Sequence, residues 1–472
     1  MVVAEMQDLL KLMPSVNELL SSDQAAAWLA VQPRELIVAC ISDAMAETRR
    51  LVLADQAGRC GPETVSPERL LDRSWDLLAT RAAVRLGGVI NATGIILHDA
   101  LGRTPWAGRV VDSMTDDLKG YCSLDVDRET GRHARRERHV EEILCELTGA
   151  EAATVVNNNA AATVLALAAA TAEKNQVVIS RGDLMDIGGG FRISDAIASS
   201  GARIVEVGSA NRTVLEDYER AVTEQTGAIM RVRPLHVRPS AQVQDVPLED
   251  MVKLARAHWA VLIDDLGAGA LVDLKPFGLG GVPTVSESIA EGSDIVLFSA
   301  DKLLGAAQGG IIAGRRTIIE DVRTHPLARA LRVSKTSLMA IERTLHLFRD
   351  VDLLRREHPL YVMLGTSAET LRRRAGALGE ALAGAAPGAE VQVIDACGFL
   401  TADGPPVEHL PTSVVKLVVD RLEAESLARM LREDPACIFT RTIDGAVAMD
   451  VRTITDLDIA PIAQAVQRVL RG

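Results

Sequence analysis

A lysine that follows a buried strand is the residue of this sequence best placed for covalent chemistry. The apolar run Ile295–Ser299 is typical of a strand, and Asp301 and Lys302 follow it after Ala300. Several Gly and Ala residues follow within a few positions, so the lysine can lie in a cleft without bulky cover. Desolvation in a cleft lowers the pKa of an amine and makes it a nucleophile. Taken alone, the position also suits a solvated loop lysine, and Ser299 is a candidate ligand for phosphate.

Two adjacent aspartates lie at the end of a second predicted strand. Val261–Asp264 is an apolar run that ends in a carboxylate, and Asp265 follows it. An aspartate at the carboxyl end of a buried strand can bind the protonated nitrogen of a pyridine ring and strengthen that ring as an electron sink. An aspartate in the same place can also cap a turn. The residue types do not decide between Asp264 and Asp265.

Three consecutive asparagines separate the predicted strand Thr154–Val156 from an Ala-rich helix. Asparagine is a favoured N-cap, and the exposed amides at a helix N-terminus bind phosphate. Since one side chain is enough for capping, Asn157, Asn158 and Asn159 together favour contact with a cofactor. A phosphate site, an aspartate and a strand-end lysine, in this order along the chain, predict pyridoxal phosphate held as a Schiff base on Lys302.

Composition and charge restrict the partners that the chain can have. The 472 residues carry a net charge of −13, which argues against a general polyanion-binding protein. Histidines do not cluster and none of the six cysteines forms C-x-x-C, so we predict no metal site. Without a leader-like N-terminus or an apolar run of membrane-spanning length, we expect a cytoplasmic protein with no membrane contact. Arginines that could bind phosphate or carboxylate, or form ordinary ion pairs, are Arg103, Arg132, Arg135, Arg136, Arg138, Arg329 and Arg332.

The hydrophobic periodicity divides the chain into three predicted domains. Residues 1–80 have apolar residues at helical spacing and predict a helical N-terminal domain. Residues 81–350 alternate short apolar runs with helical patterns, which is typical of an α/β domain with a mostly parallel sheet and predicts the cofactor-binding catalytic domain. Residues 351–472 predict a smaller α+β domain at the C-terminus.

Motifs along most of the chain resemble those of the bacterial selenocysteine synthase family, the L-seryl-tRNA(Sec) selenium transferases. The motifs that carry the resemblance are Val89-Ile-Asn-Ala-Thr-Gly94, Leu101-Gly-Arg103, Val155-Val-Asn-Asn-Asn-Ala-Ala161, Asp265-Leu-Gly267, Asp301-Lys-Leu-Leu-Gly305 and His325-Pro-Leu-Ala-Arg-Ala-Leu-Arg332. The resemblance implies a fold-type I pyridoxal-phosphate transferase, the fold of aspartate aminotransferase. It also implies that Lys302 and Asp301 are catalytic, and that Asp265 binds the ring nitrogen.

The resemblance further implies a reaction and its partners. The substrate would be seryl-tRNA(Sec), from which the α-proton and hydroxide leave, with Lys302 as the base. Selenium from selenophosphate would then add to the β-carbon. The family also implies a homo-oligomer, and the N-terminal domain is a candidate for binding tRNA. The residues expected to bind the phosphate of the selenium donor are Arg103, Arg136, Arg329 and Arg332.

Two other functions stay open from the sequence. Ala268 and Ala306 depart from the family motifs beside the expected site. A divergent pyridoxal-phosphate lyase or transferase acting on a small amino acid or amino sugar is therefore an alternative. A non-catalytic RNA-binding scaffold is a further alternative, but Lys302 and the Asp265 motif argue against it.

Overall fold

The protein is described by a computed structural model that covers residues 2–55, 59–82, 86–186, 190, 192–233, 235 and 245–471. The chain divides into two compact units, Met1–Gly88 and Val89–Gly472. No helix among the described residues is long and apolar enough to cross a membrane.

The first unit is a small bundle of helices around its own apolar core. Ser15 begins one helix with a capping box, in which its hydroxyl accepts from the Glu18 amide and the Glu18 carboxylate accepts from the Ser15 amide. The core includes Trp28, which stacks on Trp75 with ring centroids 5.6 Å apart. The helices are α1 (Val2–Lys11), α2 (Val16–Leu20), α3 (Asp23–Leu29), α4 (Arg34–Ala54) and α5 (Pro67–Ala82).

The second unit is built on a central sheet. Two short strands, β1 (Ile90–Asn91) and β2 (Ile95–Leu97), precede the sheet in the chain. The strands of the sheet are β3 (Ala152–Val156), β4 (Gln176–Ser180), β5 (Arg203–Val207), β6 (Thr226–Val232), β7 (Val261–Gly267), β8 (Ile295–Ser299) and β9 (Gly310–Gly314). Among the described residues the sheet has seven strands, in the order β3-β9-β8-β7-β6-β4-β5. Neighbouring strands are parallel except that β9 runs antiparallel to both β3 and β8.

Helices cover both faces of this sheet, as the long apolar runs of its strands require. Along β8, Phe298 faces one apolar core and Leu297 faces another, because side chains alternate along a strand. The helices are α6 (Gly108–Leu118), α7 (Arg138–Thr148), α8 (Asn159–Ala170), α9 (Ile193–Ser199), α10 (Leu215–Ala221), α11 (Leu248–Ala257), α12 (Val285–Glu291), α13 (Arg316–Thr324), α14 (Pro326–Ala330), α15 (Lys335–Leu347), α16 (Val351–Glu357) and α17 (Pro359–Gly365).

The C-terminal part of the chain forms an α+β lobe within the second unit. Its elements are α18 (Ala368–Ala385), β10 (Glu390–Cys397), β11 (Phe399–Thr401), β12 (Pro411–Val418), α19 (Ala424–Glu433), β13 (Ile438–Phe439), β14 (Arg441–Ile443), β15 (Ala446–Asp450) and α20 (Ile459–Arg471). Strands β10, β12, β15 and β14 form an antiparallel sheet in that order. Strands β1 and β2 pair in parallel with β13 and β11, so the start of the unit is built into this lobe.

Candidate active site

Lys302 lies in a tight turn directly after β8, at the carboxyl edge of the parallel strands. The Gly305 amide donates to the Lys302 carbonyl at 2.9 Å, and the Leu303 amide donates to the Ala268 carbonyl at 3.3 Å. Burial lowers the pKa of Lys302, and the positive charge of Arg103 lowers it further. The carboxylates of Asp265, Asp301 and Asp99 act in the opposite direction. The amine is therefore held in the environment that was predicted for a nucleophile.

Asp265 is buried, and its hydrogen bonds from the described part of the chain come from neutral groups. Its Oδ1 accepts from Asn159 Nδ2 at 2.9 Å and from the Gly267 amide at 3.0 Å. The Thr163 hydroxyl lies 3.1 Å from its Oδ2 and 2.9 Å from the Asn159 carbonyl, so it divides one proton between two acceptors. Burial raises the pKa of Asp265, and the hydrogen bonds and Lys302 oppose that rise. These neutral donors orient the carboxylate without cancelling its charge.

Asp264 lies on the opposite face of β7 and is fully buried. Arg231 Nε and Nη2 donate to its two oxygens at 2.8 and 2.6 Å, and Ser288 Oγ donates at 2.6 Å. The register of the sheet places Arg231 opposite Asp264 on the neighbouring strand β6. Asp264 is thus held in a bidentate ion pair with Arg231. Asp265 instead interacts electrostatically with Lys302 and raises the pKa of its amine.

The three asparagines separate into three environments. The Asn158 side chain caps α8, because its Oδ1 accepts from the Ala161 amide at 2.8 Å. Asn159 is bound to Asp265, and its own Oδ1 is buried with no hydrogen-bond partner among the described residues. Asn157 is exposed, and its backbone amide donates to the Leu331 carbonyl at 2.9 Å. Contact of all three side chains with the cofactor phosphate stays a prediction. Asn159 also binds Asp265 through its side-chain amide.

The close approach of the backbone around α8 leaves little free volume. Gly310 lies so close to the first turn that a Cβ there would be 2.0 Å from the Asn158 carbonyl oxygen. Ser299 pairs with Gly310 across β8 and β9 and is buried. The strand-end serine, the glycine and the first turn of α8 are therefore packed closely together.

Arg103 joins the site through Asp301. Its Nε donates to Asp301 Oδ2 at 3.0 Å, and its guanidinium also pairs with Asp99. Arg103 has a φ of 65°, a left-handed conformation that is uncommon for a residue other than glycine. Two carboxylates and a tight turn thus fix the guanidinium beside Lys302.

The other three predicted arginines lie in different surroundings. Arg136 is half-buried and makes a bidentate pair with Asp125, at 3.2 and 2.9 Å. Arg329 and Arg332 are exposed and form no ion pair with another described residue. Both line a cavity of about 230 Å³ that also contains Arg135 and Arg323. The structure therefore brings Arg103 to Lys302, while Arg329 and Arg332 gather at a second, arginine-lined hollow.

Sequence reasoning missed two residues that organise the aspartates. Thr163 lies one helical turn after Asn159 on α8. Because residues four apart lie on the same face of a helix, the sequence could have indicated that both side chains contact one partner. Arg231 carries no such signal, because the pairing of β6 with β7 is not visible in the sequence.

The fold is shared with a solved ammonia-lyase. D-glucosaminate-6-phosphate ammonia-lyase superposes with a TM-score of 0.59 at 22% identity, over 84% of this chain and 98% of that chain. The fold, with a lysine and an aspartate at the carboxyl edge of its sheet, defines a fold-type I pyridoxal-phosphate enzyme. The predicted fold class is confirmed.

Sequence comparisons then give the family. A family model described as L-seryl-tRNA selenium transferase matches residues 89–455, and one described as selenocysteine synthase N terminal matches residues 10–49. The L-seryl-tRNA(Sec) selenium transferase of Geobacter sulfurreducens is 37% identical over 457 residues, which cover 97% of this chain and 98% of that protein. The enzyme of the same name from Nitratidesulfovibrio vulgaris is also 37% identical, over 98% of this chain and 100% of that protein. The chain belongs to the L-seryl-tRNA selenium transferase family, and its cofactor is pyridoxal phosphate.

The residues of the site fit this cofactor. Asp265 offers a carboxylate to a protonated ring nitrogen, and Lys302 offers an amine of lowered pKa to the aldehyde. The N-terminus of α8 suits a phosphate, although the Ala161 amide in its first turn already donates to Asn158 Oδ1. The buried and unpartnered Oδ1 of Asn159 can accept one more hydrogen bond.

Proposed function

We propose that this chain converts L-seryl-tRNA(Sec) to selenocysteinyl-tRNA(Sec), with pyridoxal phosphate as cofactor and selenophosphate as selenium donor. The observation that carries the proposal is the family match through nearly the whole chain, combined with Lys302 and Asp265 at the carboxyl edge of the sheet. The substrate is a charged tRNA, and we therefore assign the reaction to the cytoplasm.

Lys302 is the base in this proposal. Bound pyridoxal phosphate supplies the electron sink that acidifies the Cα–H bond of the seryl group. Burial lowers the pKa of Lys302, which favours the neutral amine, the form that can accept the α-proton. The hydroxyl leaves Cβ as water, selenium forms the new bond to Cβ, and a proton returns to Cα. Water breaks the P–Se bond, and phosphate is released.

Arginines bind the donor in this proposal. Arg103 is already fixed beside Lys302 by Asp301, so a phosphate bound to Arg103 lies next to the reacting carbon. Arg329 and Arg332 form no ion pair with another described residue, and they supply positive charge at a cavity that Glu137 also lines. Arg136 already pairs with Asp125, and binding of the donor there requires exchange of that partner.

Domain roles and assembly complete the proposal. Residues 1–80 form the tRNA-binding domain, residues 81–350 the catalytic domain and residues 351–472 the small C-terminal domain. The enzyme acts as a homo-oligomer, with arginines that reach a neighbouring protomer's site.

The direct test uses purified protein loaded with pyridoxal phosphate. Seryl-tRNA(Sec) with selenophosphate should yield selenocysteine on the tRNA, detected by mass spectrometry of the released amino acid. Free serine and a small amino-sugar phosphate should give no product. Turnover of a small amine, with no reaction of the charged tRNA, would contradict the proposal.

A second test addresses the lysine. Borohydride should fix the cofactor covalently, and peptide mapping should find it on Lys302. Lys302→Ala should lose this covalent label and the activity, while Lys253→Ala, at an exposed lysine of α11 paired with Glu249, should keep both. A label on any other lysine in the wild-type protein would reject the assignment of Lys302.

A further inference from the structure

The turn that carries Lys302 is held from beneath by two polar side chains of one helix. Tyr361 Oη donates to the Leu303 carbonyl at 3.0 Å, and His358 Nε2 lies 2.9 Å from the Leu304 carbonyl. His358 immediately precedes α17 and Tyr361 lies in its first turn, so both approach the same side of the turn. These are the carbonyls of the two residues that follow Lys302.

Both side chains are fully buried in an aromatic cluster. Phe348 lies edge-on to both, with ring centroids 5.9 Å from His358 and 5.6 Å from Tyr361, and Phe277 lies 5.3 Å from Tyr361. Burial lowers the pKa of His358 to about 4, so the ring is neutral and its Nε2–H donates to the carbonyl. If these positions only had to fill the core, leucine or phenylalanine would do so without the cost of removing a polar group from water. The two polar groups therefore have a role that an apolar side chain cannot fill.

His358 also packs closely against the backbone of the turn at Gly305. Gly305 has a φ of +63°, and a Cβ there would lie 2.3 Å from His358 Cε1. The imidazole thus packs against the glycine backbone while it binds the preceding carbonyl. Three successive residues after Lys302 are fixed by His358 and Tyr361.

We propose that His358 and Tyr361 are positioning residues for Lys302, which hold its turn in the one conformation that keeps the amine in the buried site. This inference rests on the proposed role of Lys302, and it does not depend on the tRNA or selenium substrates. Neither side chain touches the reacting atoms. The charged groups that face Lys302 are Arg103, Asp265, Asp301 and Asp99, and none of them contacts either residue by a hydrogen bond.

The test follows the pH titration of the visible absorbance of holoenzyme, which reports protonation at the lysine–cofactor linkage. Tyr361→Phe removes one donor and His358→Leu removes the other, while His358→Gln retains a donor near Nε2. A looser turn admits water, which favours the charged form of the linkage, so the midpoint should rise by about half a unit or more in the first two variants. His358→Gln should restore most of the wild-type midpoint.

Phe348→Leu is the matched control, because it disturbs the same cluster without removing a hydrogen bond to the turn. It should lower Tm and leave the midpoint unchanged. Release of the cofactor by hydroxylamine should be severalfold faster in Tyr361→Phe and unchanged in the control. A folded Tyr361→Phe with the wild-type midpoint and release rate would overturn the inference. Absence of selenium transfer by the wild type would reject the proposed function and leave this measurement valid.

Discussion

The two adjacent aspartates of β7 have opposite uses although both are buried. On one face, Asp264 is neutralised by the bidentate guanidinium of Arg231 and by Ser288. On the other face, Asp265 is bound by uncharged donors, namely Asn159, Thr163 and the Gly267 amide. The first carboxylate stabilises the sheet, and the second keeps a charge available to a ligand.

The comparison shows that burial does not by itself make an aspartate functional. The two aspartates differ in the charge of their partners. A cationic partner balances the charge of a carboxylate, whereas neutral hydrogen-bond donors only orient it. Substitutions on the Asp264 face should therefore change stability, and substitutions on the Asp265 face should change catalysis.

The largest expected effect is the loss of stability on replacing Asp264. Asp264→Asn leaves Arg231 buried without its counter-charge, which should cost about 3–5 kcal/mol of unfolding free energy. Thermal and urea denaturation measure the change. The double variant Arg231→Met/Asp264→Leu should recover most of the loss, because no charge then stays buried alone. If Asp264→Asn alone is as stable as the wild type, the proposed difference between the two faces of β7 is wrong.

Asp265→Asn should instead lower kcat by about 10²–10³-fold, because a group that stabilises developing charge is lost. Its Tm should stay near that of the wild type, since the neighbouring donors are neutral and no buried charge is left unpaired. Steady-state turnover of the charged tRNA and a melting curve on the same sample measure both. Equal losses of activity in the Asp264 and Asp265 variants, each fully folded, would argue against the assignment.

Thr163→Val should have a smaller effect on the same face. The hydroxyl gives Asp265 only part of one proton, so its loss should weaken cofactor retention about fivefold, which corresponds to ~1 kcal/mol. Equilibrium dialysis of the cofactor measures the change. Thr163→Ser keeps the hydroxyl and should bind the cofactor as the wild type does.

The smallest expected effect is a shift in the pH profile. Protonated Lys302 cannot accept the α-proton, so kcat/KM falls as the pH drops through the pKa of Lys302. The negative charge of Asp265 raises that pKa, and Asp265→Asn should therefore move the acid limb to lower pH. Asp264→Asn should leave the limb in place. A shift in the Asp264 variant would show that its charge also reaches the amine.

The sequence predicted the architecture well because the strands are long enough and apolar enough to be recognised. The strand Ile295–Ser299 was predicted at its observed bounds. The predicted strand Val261–Asp264 ended too early, since β7 continues to Gly267. A run of Asp and Gly does not look like a strand, and here tertiary pairing with β6 and β8 extends it.

The site was predicted less completely, for a physical reason. Alternation along a strand requires that Asp264 and Asp265 face opposite sides, but only the position of Arg231 shows which side is the ion pair. His358 and Tyr361 belong to no motif, and nothing in the sequence brings them to a turn more than 50 residues earlier in the chain. Contacts of this kind depend on how distant segments pack.

The place of β9 in the sheet also bears on synthesis at the ribosome. Strand β3 leads into α8 and Asn159, yet within the described sheet it pairs only with β9, which follows Lys302 in the chain. A nascent chain that stops before Gly310 therefore has its lysine and its aspartate but no neighbour for β3. Such high contact order delays folding. We expect pyridoxal phosphate to bind the nascent chain only after β9 has left the ribosome. A chain that holds the cofactor is then one whose central sheet is complete.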